Sequence, residues 1–162
     1  HAIGCSIQGI RPLMIEVQAL VSSAVYGTPQ RSATGFNSKR LNMILAILEK
    51  RAGIQIGSKD VFLNITGGIN VDDPSIDLAV ISSIISSHEN IPIDRNICFS
   101  GEIGLSGELR GISKLKERLS EAEKLGFNLF VTSNSNIDNL DKSKIGIKKL
   151  DQIEDLIDLL FR

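Results

Sequence analysis

The chain has 162 residues, of which 42% are hydrophobic and 23% charged, and its formal net charge is -1. This length and composition predict one globular domain over residues 1–162, and the charge balance excludes a global attraction to nucleic acid or to an anionic membrane. Cys5 and Cys98 are distant in sequence and form no C-x-x-C pair, so we expect buried thiols, no metal site and a reducing compartment, the cytoplasm. No apolar run reaches the roughly 18 residues that a membrane span needs, so we expect no membrane partner. Because the first residue is His1 instead of Met, we expect a tag remnant ahead of a piece of a longer protein.

The first half of the chain is predicted to begin with strands and to contain one clear helix. β-rich apolar runs predict strands over residues 3–8 and 13–21 and within DVFLNITGG at residues 60–68. The segment TPQRSATGFNSKR, residues 28–40, indicates a flexible, hydroxyl-rich and basic loop. Apolar residues at helical spacing then predict a helix with Asn37 or Ser38 as its cap and Gly53 just past its end.

The second half of the chain alternates helices and strands. DDPSIDLAVISSIISSHEN predicts a central helix with acidic residues and Pro74 at its start, the residues that helix N-termini favour. Four glycines between residues 101 and 111 predict a tight hairpin or a bulged strand, and Ser113 is placed to cap a helix that Gly126 closes. Two further strands and a final amphipathic helix follow, over residues 128–133, 145–150 and 151–162. The pattern predicts an α+β domain with a partly parallel sheet.

Ser75, in the segment DDPSID, is the candidate nucleophile of the sequence. Neither His1 nor His88 has an evident partner for a Ser-His-Asp arrangement. A serine can instead be activated by a lysine, provided that burial or a neighbouring cation lowers the lysine pKa from about 10.4 toward neutrality. The competing interpretation makes Ser75 a residue that only starts a helix.

Two segments resemble the proteolytic domain of Lon proteases. DDPSID is similar to the Asp-Gly-Pro-Ser-Ala-Gly loop that carries the Lon serine, and SGEIGLSGELRGISKLKER, residues 100–118, is similar to the segment that carries the Lon lysine. The resemblance implies the Lon proteolytic-domain fold, of the ribosomal protein S5 domain 2-like type, with a mixed β-sheet and packed helices. It places the serine on Ser75 and the lysine position on Arg118.

An arginine at the position of the Lon base breaks the Ser/Lys dyad. Neutralising an arginine near pH 7 would cost about 7–8 kcal/mol, which an ordinary pocket does not supply. Lys116 is the alternative base, but two residues turn a helical side chain by about 200°, which puts it on the opposite face from Arg118. Asp73 and Asp77 replace two Lon glycines, and a carboxylate beside a serine disfavours a developing oxyanion. We therefore expect Ser75 to be a helix-start residue and Asp77 to pair with Arg118.

A longer resemblance covers most of residues 9–127 and indicates the RadA (Sms) family. The similar segments include IRPLMIEVQALV, DVFLNITGGI, SGEIGLSGELR and ERLSEAEKLGF. The resemblance implies a Lon-like C-terminal domain of a bacterial DNA-repair and recombination ATPase. The resemblance further implies that the domain scaffolds a hexameric ring, which is expected to act on DNA without sequence preference during branch migration. ATP, Mg and Zn are expected only in the missing ATPase core and zinc module, and RadA members often have alanine at the Ser75 position.

The stretch from Val17 to Leu48 contains no acidic residue and supplies the candidate DNA contacts Arg31, Lys39 and Arg40. Such cations, together with backbone N–H groups at a helix start, can bind phosphates weakly and without sequence preference, and a ring would add avidity. The same cations are equally suited to salt bridges with a neighbouring subunit.

Three functions therefore remain open on the sequence. The first is a non-catalytic ring scaffold with DNA contacts. The second is an active Lon-type serine endopeptidase, of the ATP-dependent protease family, that uses Ser75 with Lys116 as its base. The third is a purely structural oligomerisation module whose basic segment meets acidic residues of the next subunit.

Overall fold

The computed structural model describes residues 1–135 and 144–162 of the chain. Within these ranges the strands are β1 (Ala2–Gln8), β2 (Arg11–Ser23), β3 (Arg31–Thr34), β4 (Lys59–Ile65), β5 (Ile97–Ser100), β6 (Glu102–Ile103), β7 (Leu109–Arg110), β8 (Leu129–Ser133) and β9 (Gly146–Leu150). The α-helices are α1 (Ser38–Ala52), α2 (Asp77–Glu89), α3 (Leu115–Lys124) and α4 (Ile153–Phe161). None of the helices in the described part of the chain is long and apolar enough to cross a membrane.

Seven strands form one mixed sheet in the order β3-β4-β2-β1-β5-β8-β9. β2 pairs antiparallel with β1 and β4, whereas the pairs β1–β5, β5–β8, β8–β9 and β3–β4 are parallel. α1 and α3 each lie in the chain segment that connects two parallel neighbours, which is the crossover that parallel strands require. β6 and β7 form a separate hairpin. The predicted α+β fold with a partly parallel sheet is confirmed.

Both faces of the sheet carry apolar residues, because successive side chains of a strand point to opposite faces. In β2, Ile15 and Val17 point into the main core, which α1, α2 and α4 cover, whereas Met14 points to the other face. There α3 packs Leu115 and Leu119 against a second cluster built on β1, β5 and β8. Burial of each such leucine contributes about 1.5–3 kcal/mol, so α3 is held firmly over the centre of the sheet.

Helix α1 begins and ends where the sequence predicts. The Asn37 side chain accepts the backbone N–H of Arg40 at 3.0 Å, and the N–H of Gly53 donates to the Leu48 carbonyl. Gly53 has φ 67°, in the left-handed region that glycine adopts without a steric penalty. Both contacts satisfy backbone groups that a helix end leaves unpaired.

Two predicted local structures are wrong. Residues 31–34 of the predicted basic loop form β3, because they pair in parallel register with β4 at the edge of the sheet. Ser113 does not cap α3: Lys114, with φ 55°, is the residue that precedes the helix. The Ser113 carbonyl accepts a hydrogen bond from Arg118 instead. Both errors have the same origin, since each conformation is set by partners distant in sequence.

Cys5 and Cys98 are free and 0% exposed, within the cluster that α3 covers. Burial raises the pKa of Cys5 to about 12, and it also raises the pKa of Cys98. Both side chains therefore stay protonated near neutral pH and act as small apolar groups.

Candidate functional site

Ser75 lies in a 3-10 turn that leads directly into α2. The turn forms because Pro74 fixes its own φ and because the Asp73 carboxylate accepts the Ser75 backbone N–H at 3.1 Å. Ser75 is 0% exposed, and its Oγ donates to the Cys5 carbonyl oxygen at 3.2 Å. The capping role thus belongs to Asp73, and the serine hydroxyl is held against the end of β1.

Arg118 lies in the first turn of α3 and is 1% exposed. It shares the buried face of the helix with Leu115, Leu119 and Ala122, which is why this arginine points into the protein. Its Nε donates to the Ser113 carbonyl at 2.8 Å. Its Nη1 lies 2.5 Å from Ser75 Oγ, 2.8 Å from the Cys5 carbonyl oxygen, 2.9 Å from Asp73 Oδ2 and 3.3 Å from Ser100 Oγ. The guanidinium therefore joins α3 to β1, to the end of β5 and to the turn before α2.

The Asp73 carboxylate is the counter-charge of Arg118. Its Oδ2 accepts from the guanidinium at 2.9 Å and from the backbone N–H of Ile7 at 2.8 Å. Burial raises the pKa of Asp73, but the Ile7 N–H and the Arg118 guanidinium oppose burial and bring the pKa below its ordinary value. The buried arginine is therefore paired with an ionised carboxylate at neutral pH.

The C-terminal end of β5 holds the other side of the cluster. Ser100 is 0% exposed and donates to the Cys5 carbonyl at 2.9 Å. The next N–H, of Gly101, donates to the Ser75 carbonyl at 2.9 Å, and the Gly101 carbonyl accepts from Leu78 at 3.3 Å. A Cβ at Gly101 would lie 2.7 Å from Leu78 Cδ1, so this close approach requires glycine. The turn that carries Ser75 is thus attached to β1 and to β5 at once.

This geometry holds the serine oxygen without activating it. A Ser/Lys mechanism requires a neutral amine that takes the hydroxyl proton, whereas the guanidinium donates to Ser75 Oγ. Lys116, the alternative base, is exposed whereas Ser75 is buried, so the structure does not bring these two side chains together. A peptide carbonyl would also have to displace Arg118 or the turn to reach the serine.

The prediction that Asp77 pairs with Arg118 is wrong. Asp77 is 0% exposed and accepts two hydrogen bonds from Arg40 of α1, one from Nε to Oδ1 at 2.8 Å and one from Nη2 to Oδ2. The backbone N–H of Ile103 adds a third at 3.0 Å. Burial raises the pKa of Asp77, against the opposing effect of Arg40 and of the Ile103 N–H. This pair links α1, α2 and the β6–β7 hairpin.

The three predicted DNA contacts differ in what surrounds their charges. Arg31 donates to the carbonyl oxygens of Ile56 at 2.8 Å and Lys59 at 3.2 Å, so its guanidinium closes the turn before β4. Arg40 is bound to Asp77, with 29% of its side chain exposed. Lys39 is exposed at the rim of a cleft of about 410 Å³ between the start of α1 and the loop before Ser75. Of the three, Lys39 presents its charge most openly to solvent.

Sequence reasoning found Ser75 and Arg118 but missed their other partners. Cys5 contributes only its backbone carbonyl, which no side-chain pattern signals. Ser100 lies at the end of a predicted strand, and the Ser-Gly pair at residues 100–101 was the available signal. Asp73 was interpreted as a replaced glycine, although an acid two residues before a buried serine is well placed to accept its N–H.

Residues 49–161 match the family of the Lon protease (S16) C-terminal proteolytic domain. The chain therefore belongs to this family, and the predicted Lon-like fold is confirmed. Three proteins named DNA repair protein RadA are similar to it. That of Bacillus subtilis is 41% identical over 143 residues, which is 88% of this chain and 31% of that protein. That of Rickettsia prowazekii is 46% identical over 132 residues, or 82% and 30%. That of Helicobacter pylori is 46% identical over 126 residues, or 78% and 28%.

The chain thus spans about 30% of the length of these curated relatives. The resemblance to the Lon-like domain of the RadA family, expected from the segments IRPLMIEVQALV to ERLSEAEKLGF, is confirmed.

Proposed function

We propose that this chain is a non-proteolytic Lon-like domain of a RadA-type recombination ATPase, in which it scaffolds a hexameric ring and adds sequence-independent DNA contacts. The relatives are DNA repair proteins by name, and most of their length lies outside this chain. That remaining part is where the proposal places ATP, Mg and Zn, together with the chemistry that drives branch migration. The proposed compartment is the cytoplasm.

The contact between Arg118 and Ser75 carries the non-proteolytic part of the proposal. The cation that stands at the lysine position donates to Ser75 Oγ at 2.5 Å and cannot take its proton near neutral pH. The serine is 0% exposed, so a substrate has no direct path to it. An active Lon-type endopeptidase would need both features to change.

Peptide hydrolysis tests this part directly. The purified chain, Ser75→Ala and Ser120→Ala are incubated with casein and with fluorogenic peptides, and Ser120 serves as the control because it is an exposed serine on α3. We expect the three proteins to give the same background rate. Hydrolysis that disappears in Ser75→Ala and persists in Ser120→Ala would show that the site is catalytic.

The DNA part of the proposal is supported by Lys39 and the start of α1. The first turn of this helix has no acidic residue, and a helix N-terminus favours anions such as phosphate. Lys39 adds an exposed cation beside it. Across the cleft the Asp73 carboxylate is paired with Arg118, which reduces its repulsion of a phosphate, whereas the exposed Asp72 adds a negative charge that opposes the contact. A single such contact is weak, so the proposal requires repetition around a ring.

Duplex-DNA binding over a salt series tests the DNA part. Lys39→Glu is compared with Lys124→Glu, an identical charge change on the exposed end of α3. We expect Lys39→Glu to weaken binding and to lower the salt slope by about 1 per chain, as the loss of one phosphate contact does. Equal effects of the two variants would refute a specific contact at Lys39. Arg31 and Arg40 are less suitable positions, because each holds parts of the fold together.

A further inference from the structure

Three sulfur-containing side chains meet on the sheet face under α3. Cys5 of β1 lies directly opposite Met14 of β2 in the antiparallel register, and Cys98 lies on β5, the parallel neighbour of β1. The Cys98 thiol donates to Met14 Sδ at 3.6 Å, so this contact reaches across the strand that carries Cys5. All three residues belong to the cluster that α3 covers. We call them the sulfur cluster.

The two thiols of the sulfur cluster share a sheet face but are too far apart for a disulfide. Cys98 is in register with Ile3, which precedes Cys5 by two residues, so both thiols point to the same face. This offset, together with the strand spacing, puts the two Cα atoms about 8 Å apart, beyond the roughly 7 Å that a disulfide spans. The thioether of Met14 lies against Cys98 and beside Cys5, so the three sulfurs form a group that a disulfide does not explain.

Two thiols and a thioether are ligands for a soft cation. Soft sulfur ligands select Cu(I), whereas Mg²⁺ and Ca²⁺ take oxygen ligands and structural zinc takes four ligands from Cys, His and carboxylates. In residues 1–135 and 144–162, no three side chains of the His, Cys, Asp and Glu types lie together as a metal site. The sulfur cluster therefore suits Cu(I) and not the harder ions.

Met14 gives the sulfur cluster its access to solvent. Cys5 and Cys98 are 0% exposed beneath α3, whereas Met14 is partly exposed where β2 emerges from under that helix. A cation that arrives at the Met14 thioether has the Cys98 thiol in direct contact with it. The same thioether that completes the ligand set is thus also the point of entry.

Arg118 offsets the charge that bound copper creates. Two thiolates and one Cu(I) carry one negative charge in total, and Arg118 Nη1 lies 2.8 Å from the Cys5 carbonyl oxygen. Burial raises the pKa of both thiols, and Arg118 opposes that rise in each. On Cys5 its effect is larger than that of either Glu121 or Asp73, which act in the opposite sense.

We propose that the sulfur cluster binds one Cu(I) ion through the Sγ atoms of Cys5 and Cys98 and the Sδ atom of Met14. Each thiol loses its proton to solvent on binding, and the copper keeps its oxidation state, so no oxidant or reductant takes part. The inference goes beyond the proposed function and differs from the expectation of no metal site, which considered the spacing of the cysteines alone. Three ligands on three strands leave no spacing motif in the sequence.

Competition with a coloured Cu(I) chelator tests the site. The reduced chain is titrated without oxygen into the Cu(I) complex of bathocuproine disulfonate, and the loss of colour measures the copper taken up. Met14→Leu is compared with Met43→Leu, the same change at the second methionine of the chain, which packs against the main core. Both changes conserve volume at partly buried positions, so both variants are expected to fold.

We expect the chain and Met43→Leu to take up one Cu(I) each with the same affinity. Met14→Leu should bind at least about tenfold more weakly, since even an outer partner of a metal ligand costs that much when it is lost. Cys5→Ala and Cys98→Ala should each abolish the uptake, with urea unfolding as the check that they fold.

Equal affinities of Met14→Leu and Met43→Leu would overturn the inference, as would a chain that takes up no copper. Copper that the double variant Cys5→Ala and Cys98→Ala still holds would be an adventitious ion only, bound elsewhere on the chain, and would overturn it as well. If the cysteine variants do not fold, the comparison of the two methionine variants decides.

Discussion

Replacing Arg118 with alanine tests whether the buried cluster stabilises the fold. The guanidinium is 1% exposed, and its Nε and Nη1 donate to acceptors in the loop before α3, in β1, in β5 and in the turn before α2. Its removal leaves Asp73 as a carboxylate that is only 14% exposed, with the Ile7 N–H at 2.8 Å and the Ser6 hydroxyl at 3.4 Å as its remaining long-range donors. Breaking a buried ion pair from one side costs about 3–5 kcal/mol. Because Asp73 retains some access to water, we expect a loss near 3 kcal/mol.

The assay is urea unfolding, with Arg110→Ala as the matched control. Arg110 is 57% exposed and lies 3.7 Å from Glu108, so its removal is expected to change the free energy of unfolding by no more than about 0.5 kcal/mol. The slope of unfolding free energy against urea should be unchanged in both variants if only stability is affected. Equal losses in Arg118→Ala and Arg110→Ala would refute the structural role of the cluster.

Arg118→Lys separates the charge of this residue from its shape. A lysine keeps a cation for Asp73 but has one nitrogen in place of the two that contact Ser113 and the cluster. The loss of one hydrogen bond is worth about 0.5–1.5 kcal/mol, so we expect a stability between that of the unchanged chain and Arg118→Ala. No gain in peptide hydrolysis is expected, because Ser75 stays buried.

Three further predictions concern the surroundings of the cluster. Arg40→Ala should lower the free energy of unfolding by about 3–5 kcal/mol, since it strands the buried Asp77, whereas Lys39→Ala one residue earlier should change it by less than about 0.5 kcal/mol in the same urea titration. Lys114→Gly should stabilise by about 0.5–1 kcal/mol in thermal unfolding, because φ 55° is unfavourable for lysine; a destabilised variant would show that the conformation is not strained. The lowered pKa of Asp73 stabilises the fold above the ordinary aspartate value of about 3.9, and this contribution is lost as pH falls through that value toward the folded pKa. Urea midpoints from pH 6 to pH 3 should therefore fall less steeply in Asp73→Asn.

Local sequence patterns predicted most helices and strands because those elements satisfy their own requirements. Helix α1 has its apolar periodicity, Asn37 and Gly53 within one segment, and all three signals agree with the structure. Local patterns did not predict strand β3, because its four residues, two of them with hydroxyl side chains, carry no strand signal of their own. They become a strand only by pairing with β4. Local patterns did not predict the left-handed backbone conformation of Lys114 either, because nothing in the neighbouring sequence favours it for a lysine. Its conformation follows from α3 packing on the sheet with Arg118 buried beneath.

The sequence predicted those side chains of the candidate site that a motif specifies. It did not predict the backbone groups that the fold brings to the site, such as the Cys5 carbonyl. The resemblance located Ser75 and Arg118, which the structure brings within 2.5 Å of each other. Which acid each arginine meets depends on the arrangement of three helices. Asp73 and Asp77 are four residues apart, yet one faces Arg118 of α3 and the other faces Arg40 of α1. Chain spacing alone made the wrong pair equally plausible.

The arginine at the lysine position explains why a serine persists beside a cation that cannot activate it. A hydroxyl at residue 75 accepts from Arg118 and donates to the Cys5 carbonyl, so it satisfies a buried charge and a strand end together. Alanine at this position would leave the guanidinium with Asp73, Cys5 and Ser100, which still satisfy it. The change that removes the general base therefore also makes Ser75 replaceable. We expect Ser75→Ala to cost no more than about 0.5–1.5 kcal/mol in urea unfolding, well below the loss in Arg118→Ala, and an equal loss would place the structural role in the serine instead.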